Sequence, residues 1–258
     1  MKLRTAPTME GARWVRSGLT QLLRQPVPHA ALFGVMAFSL GLLMSLPVLG
    51  PLLALSLLPA LNAGWVHCST CALQGQILTP LRLLAPLQSP QRNKLLLLGA
   101  VHAGAALLIL SLANLFDPTF LEQWALAISG QADDELAAKA LETVQQGVLL
   151  RGAMLLPVLL VFWHAPVIIH RTDASVAKAI FASALATTRN LGPFAVYGLT
   201  WVGADMLLSN LVGALLGMIG QSGLALLIVV PSSMLFSAAF FASLHASVHG
   251  CLEFDETL

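Results

Sequence analysis

Charge is scarce in this sequence. Only 10% of its 258 residues are Asp, Glu, Lys or Arg, where a water-soluble domain carries about 25%. That is too little to cover a surface facing water, and it excludes an ordinary cytosolic enzyme as well as a disordered tail. The net charge of +1 excludes the basic face that a nucleic-acid binder needs. Three unevenly spaced cysteines do not make a disulfide framework. Phosphate-binding Gly-x-x-x-x-Gly-Lys-Ser/Thr, zinc-protease His-Glu-x-x-His and nucleophile-elbow Gly-x-Ser-x-Gly signatures are all missing from the chain, so nothing asks for an enzyme. What fills the sequence instead is hydrophobic residues, at 57% with a mean hydropathy of +0.81. They lie in long uncharged runs, the composition of a protein solvated by lipid.

A hydrocarbon core about 30 Å thick needs roughly 20 apolar helical residues. Six stretches meet that length: His29 to Pro47, Pro51 to Leu73, Leu95 to Leu115, Val148 to Ile169, Phe194 to Met218 and Leu224 to Val248. The first pair is joined by an uncharged turn at Leu49–Pro51 and the last pair by another at Gly220–Gly223. The first run follows a polar, amphipathic segment and lacks a small-residue cleavage site, so it reads as a retained span. Lys2, Arg4, Arg13, Arg16, Arg24, Arg82, Arg92, Lys94, Arg171, Lys178 and Arg189 all fall on one side of these spans. The other side holds only Lys139 and Arg151 beside Asp117, Glu122, Asp133, Asp134, Glu135 and Glu142. By the positive-inside rule both termini are expected in the cytoplasm. The expected fold is all-α: a polytopic membrane protein of six transmembrane helices with two cytoplasmic interfacial elbow helices.

The first elbow spans Gly11 to Arg24. Val15, Leu19, Leu22 and Leu23 form an apolar stripe opposite Arg13, Arg16, Thr20 and Arg24, an arrangement suited to an anionic leaflet. The second, Ser175 to Asn190, places Val176, Ile180, Phe181, Ala184 and Leu185 on its apolar side, with Asp173 or Ser175 as cap. Each elbow leads into a hairpin whose second span carries a proline, Pro59 or Pro231, a weak internal repeat. Three regions result: an N-terminal cytoplasmic segment 1–27, a transmembrane domain 28–249, and a short cytoplasmic tail 250–258. An acidic extracytoplasmic segment at 117–146 is expected to hold two helices, Phe120 to Ile128 and Asp134 to Gln145.

Ionisable groups inside spans mark paired or functional positions. Asp205 lies midway along the fifth span, followed by Asn210 and by Ser209, Gly213 and Gly217 at four-residue spacing, a row that lets helix backbones approach. His67, Cys68, Cys71, His164, His170, His245 and His249 gather at the cytoplasmic ends of spans two, four and six, with His102 at similar depth in span three. Such donors can hold a metal or haem. No Cys-x-x-Cys-His motif is present, and the equally simple reading is buried thiols and snorkelling imidazoles.

Val176-Ala-Lys-Ala-Ile-Phe-Ala-Ser, followed by Arg189-Asn190-Leu-Gly-Pro-Phe194-Ala-Val-Tyr197-Gly198, resembles the hallmark of an uncharacterised six-span inner-membrane family of proteobacteria. Trp163-His164-Ala165-Pro166 is similar to that family's Trp-Phe-Ala-Pro. The segment ending Ala-Ser-Leu-His245-Ala-Ser-Val-His249 is similar to its Ala-Ser-x-Tyr-x-Ser-Tyr-Arg. The resemblance implies six helices with cytoplasmic elbows and no established activity, so no catalytic residue is transferred. His164 and His245 stand where that family has aromatic residues, and His249 where its pattern ends in Arg. The expected role is a non-enzymatic accessory, assembly or scaffold protein of the bacterial inner membrane, partnered by the bilayer and by a membrane protein or a second copy, with no nucleic acid. The rival readings are a small transporter or channel built on Asp205, and a metal or haem carrier.

Overall fold

The computed structural model describes residues 1–129, 134–219 and 225–254. The turn expected at Gly220–Gly223, the start of the sixth span at Leu224, Asp133, and the tail beyond Phe254 lie outside the described residues. A two-residue strand β1 (Lys2–Leu3) precedes α1 (Glu10–Arg24), α2 (Pro26–Met44) and α3 (Leu49–Leu73). A 3₁₀ turn (Pro80–Leu84) and α4 (Ala85–Gln88) lead to α5 (Arg92–Phe116), α6 (Phe120–Ile128) and α7 (Asp134–Phe162). Then come α8 (Ala165–Arg171), α9 (Val176–Arg189), α10 (Leu191–Ile219), α11 (Ala225–Cys251) and β2 (Leu252–Glu253). Six helical stretches are long and apolar enough to cross a bilayer: α2, α3, α5, α7 with α8, α10 and α11. The fold is that of an all-α polytopic membrane protein.

Several boundaries differ from the sequence reading, each for a local reason. The first hairpin turns at Ser45–Val48, with Val48 in the left-handed region at φ 62°. Leu49–Pro51 is therefore the opening turn of α3, where Gly50 sits so close to the end of α2 that a Cβ would stand 2.3 Å from the Leu43 carbonyl. Span four is not one helix from Val148 to Ile169. It stops at Phe162 and restarts at Ala165, because Pro166 has no N–H and its ring would strike the carbonyl one turn back. The helix expected at Asp134 to Gln145 is continuous with this span through Gly147, and no proline separates them. Cα-level contact of the 3₁₀ turn with α3 is made possible by Gly64, whose Cβ would lie 2.0 Å from the Leu83 carbonyl.

The elbows turn a second, small-residue face to the bundle, beside the apolar stripe read for the leaflet. On α1 the buried residues are Gly11, Trp14, Val15, Gly18, Gln21 and Leu22, whereas Leu23 is 78% exposed. Gly18 allows the close seat: a Cβ there would stand 2.4 Å from the Ala239 carbonyl and 2.6 Å from Ser243 Cβ. The small residues let α1 seat its backbone against α11 and α10, while Leu19 and Leu23 form a separate apolar edge between the buried and basic faces. On α9 the buried residues are the small Ala179, Ser183, Ala186 and Thr187, and Phe181 is 70% exposed. Ser175 is the cap, accepting from the Lys178 amide at 3.4 Å. Asp173 instead pairs with Lys94 at 2.6 Å; the hydrogen bond from Lys94, and then its charge, hold that carboxyl below its usual range. The element order of elbow and hairpin recurs, but the packing does not. The first elbow, α1, lies on α10 and α11, and the second, α9, chiefly on α7 and α8.

The core is densest at the end bearing both termini. There β1 pairs antiparallel with β2, Leu3 opposite Leu252. The fully buried Asn190 ties this strap down: its Oδ1 accepts from the Ala6 amide at 2.7 Å, and its Nδ2 donates to the carbonyls of Arg4 at 2.9 Å and Ala186 at 2.8 Å. Trp14, Trp163, Phe194 and Tyr197 pack edge to face, with centroids 5.4–6.4 Å apart. Trp163, Phe194 and Tyr197, three of the residues that carry the family resemblance, thus join Trp14 in one aromatic knot. Tyr197 and Ser243 share a 2.7 Å hydrogen bond, and Trp163 donates to Ser247 at 3.0 Å.

Candidate functional site

Helix α10 is the least covered span. Only 6% of its apolar stretch is buried, against 50% for α3. Burial is confined to its first three turns, where Phe194, Tyr197 and Trp201 join the aromatic knot. Beyond them α10 and α11 part around a cleft of about 420 Å³. Asp205, Ser209 and Gly213 line it from α10, and Ser232, Ser233 and Ser237 from α11. Asp205 is exposed, midway along the span, and no hydrogen bond or ion pair reaches it from the described residues. The serine hydroxyls turn back to their own helix: Ser232 donates to the Ile228 carbonyl at 2.7 Å and Ser233 to that of Val230 at 2.9 Å. Their oxygens remain free to accept. Asn210, also exposed, donates to the Met206 carbonyl at 2.8 Å. The cleft can therefore accept a hydrogen bond or face a cationic or donor-bearing group at mid-membrane depth. The three serines of α11 were not singled out by sequence, although their spacing of one and four residues after Pro231 puts them near one helix face.

The histidines and cysteines divide into smaller groups. His67 and His170 approach with ring centroids 6.2 Å apart, and Cys71 Sγ lies 3.8 Å from His67 Nε2. His245 and His249 stack at 4.1 Å, and His249 Nδ1 meets the His245 carbonyl at 2.9 Å. His67, His170 and His249 line a cavity of only about 20 Å³ together with Arg171, a fixed cation beside the imidazoles. Cys68, Cys71 and Cys251 are buried and unbridged. Among the described residues no group of three or more His, Cys, Asp or Glu is placed to share a metal ion. His164 stands apart from His245 and His249. It is fully buried at the span-four bend, packs against Phe194 at 5.8 Å, and donates its backbone N–H to Ser183 Oγ at 2.9 Å. His102 contacts the Leu55 carbonyl at 3.0 Å and packs against Phe162.

A polar anchor that sequence reasoning missed sits at the opposite end from the termini. Arg151 donates to Asp117 Oδ2 and to Asn114 Oδ1, both at 2.7 Å, and to the carbonyls of Gly147 and Asp117 at 3.2 Å. Its guanidinium also lies 3.7 Å from the Phe120 ring centroid. The signal was available: one arginine near the start of a span, with Asn114 and Asp117 three residues apart at the end of another.

Six apolar spans, two elbows and an open polar cleft define a polytopic α-helical membrane protein. The chain is similar to a protein of Burkholderia thailandensis strain E264 named as a probable inner membrane protein, at 28% identity over 264 residues, covering 99% of this chain and 96% of that relative. No family model and no solved structure matches the chain.

Proposed function

We propose that this chain is a non-enzymatic accessory or assembly protein of the bacterial inner membrane, and that its α10–α11 cleft receives a transmembrane helix of a partner membrane protein. The reading rests on one observation: α10 leaves an exposed carboxylate, Asp205, at mid-span beside Ser209, Asn210 and Gly213. A charge facing lipid at the bilayer centre costs about 2.5–3.5 kcal/mol on insertion scales, and a helix carrying a donor or cation removes that cost. Gly213 has open space around its Cα, so a neighbouring backbone can approach closely there. Inner-membrane placement draws on the name of the Burkholderia relative, and cytoplasmic termini draw on the lysine and arginine distribution. The likeness to the six-span proteobacterial family rests on the aromatic and Asn190 motif residues and supports the same reading.

Purification in mild detergent tests it. The wild type is expected to carry a membrane-protein partner that Asp205→Leu loses and Asp205→Asn retains in part. A wild-type chain that runs alone as a 27.3 kDa monomer refutes it. The volume of the cleft favours one second reading, a transport path with Asp205 as coupling residue. That reading expects solute flux in proteoliposomes that Asp205→Asn abolishes.

A further inference from the structure

A second cavity, of about 520 Å³, lies at the end that carries both termini, between the N-terminal strap, α1 and the last turn of α11. It shares no lining residue with the Asp205 cleft. We propose that this cavity binds a phosphate group, carried either by a small soluble anion or by a lipid headgroup.

The lining is rich in donors and cations: Arg4, Arg13, Ser17 and Trp14 are the residues that matter. Arg4 is presented by a fixed backbone. Its amide donates to the Cys251 carbonyl at 2.8 Å, and its own carbonyl accepts from buried Asn190 at 2.9 Å. The Arg4 guanidinium itself has no partner among the described residues. Among the described residues the one lining acid, Glu10, is already engaged by Arg13 at 2.9 Å, so the described lining carries an excess of positive charge. Ser17 Oγ accepts from Gln21 Nε2 at 3.4 Å, which leaves its O–H to donate. Trp14 is 2% exposed, and its Nε1–H is buried with no acceptor. An unmet indole donor, a free hydroxyl and two guanidinium groups together suit an oxyanion, since planar guanidinium forks match phosphate geometry. Gly250 makes room for the Trp14 ring on the α11 side. A Cβ there would stand 2.7 Å from the Trp14 indole nitrogen and push the ring out of place. The exposed apolar edge of Leu19 and Leu23 on the same helix sets α1 at the lipid boundary, within reach of headgroups and of soluble anions alike.

Full-length protein in maltoside detergent is titrated with inorganic phosphate by calorimetry, and in parallel incubated with phosphatidylglycerol and examined by native mass spectrometry. Calorimetric binding of phosphate identifies a soluble anion. Retention of phosphatidylglycerol without phosphate binding identifies a lipid headgroup. In whichever arm binds, R4Q/R13Q is expected to weaken binding at least fivefold, while R92Q, outside the cavity, leaves it unchanged. Arg4 and Arg13 are exposed, and the strap is held by backbone atoms, so the double variant keeps its fold; an unchanged thermal midpoint verifies that. A wild type that binds neither probe, an R4Q/R13Q variant within fivefold of wild type, or an equal loss in R92Q overturns the proposal.

Discussion

Removing the Asp117 carboxylate should leave Arg151 without its counter-ion in a site where little water can replace it. The two side chains are 10% and 17% exposed and meet at 2.7 Å. Breaking a buried pair by deleting one partner costs about 3–5 kcal/mol, because the remaining charge is left uncompensated. Arg151 would keep Asn114 Oδ1 and two carbonyls, which places Asp117→Leu at about 3 kcal/mol, the lower end of that range. For a chain of this size, that corresponds to a fall in Tm of about 6–12 °C. A thiol-reactive fluorophore reads the transition directly, since Cys68, Cys71 and Cys251 are all buried and become available only on unfolding. The double variant Asp117→Leu/Arg151→Met removes both charges, so its Tm should lie above that of Asp117→Leu alone, a coupling that a double-mutant cycle quantifies. A shift below about 2 °C, or strictly additive single and double variants, would refute the clamp as a stabilising pair.

Gly18→Leu should displace α1 from α11, because even a Cβ meets the Ala239 carbonyl at 2.4 Å; faster proteolysis within α1 checks it, and wild-type resistance would count against this packing. Asn190→Ala removes three hydrogen bonds, two of them to the strap. Of its partners only the Ala186 carbonyl is fully buried and costs about 1–3 kcal/mol if left unmet; the strap groups of Arg4 and Ala6 are half-buried, and hydrogen exchange at Leu3 to Ala6 should rise while α5 stays protected. The Asp173–Lys94 bridge is the contrasting case. Its depressed carboxyl gives stabilisation that is present above the unfolded-state value of about 3.9 and is lost as pH falls through the folded value. Because both ends are exposed, Asp173→Asn should leave the neutral-pH Tm indistinguishable from wild type, and a large loss would show the pair to be better shielded than its geometry indicates.

The spans were legible because a run of twenty apolar residues has one physical use, and the six-helix pattern needs no knowledge of partners. The elbows were legible as amphipathic helices, but the small-residue face that each packs on the bundle was not. Periodicity ranks residues by hydrophobicity, and a helix touching lipid on one side and protein on another can bury its small residues and leave its leucines in lipid. Gly11, Gly18 and Trp14 face the bundle while Leu23 is left to the lipid side, and on α9 Ala179 and Ser183 face the bundle while Phe181 is left outward. The break at Trp163–His164 could have been read from Pro166, which apolar continuity masked. Asp205 was found from rarity alone, because a lone carboxylate in an apolar run stands out whatever the fold. The cavity beside the strap was not legible at all: Arg13 and Trp14 meet Gly250 through the packing of α1 on α11, Arg4 joins them through the pairing of β1 with β2, and no spacing within one segment encodes that.

That pairing bears on how the molecule divides its work. With Leu3 held opposite Leu252 and Asn190 bridging the strap to α9 and α10, the terminal end is locked by contacts between residues about 185–250 positions apart in sequence. Aromatic packing extends the locked region only to Trp201 and Phe236, 5.1 Å apart. One turn further along α10, at Asp205, the helix leaves its neighbours. A locked base from which α10 projects presents Asp205 at a set position along the span, so a partner helix docking there as proposed would meet the carboxylate without first ordering the element that carries it. Loosening the base should therefore weaken the cleft at a distance: Asn190→Ala, which touches no residue of the cleft, is expected to reduce partner retention along with Asp205→Leu. Retention that survives Asn190→Ala while the strap exchanges freely would show that α10 holds its position through the aromatic knot alone.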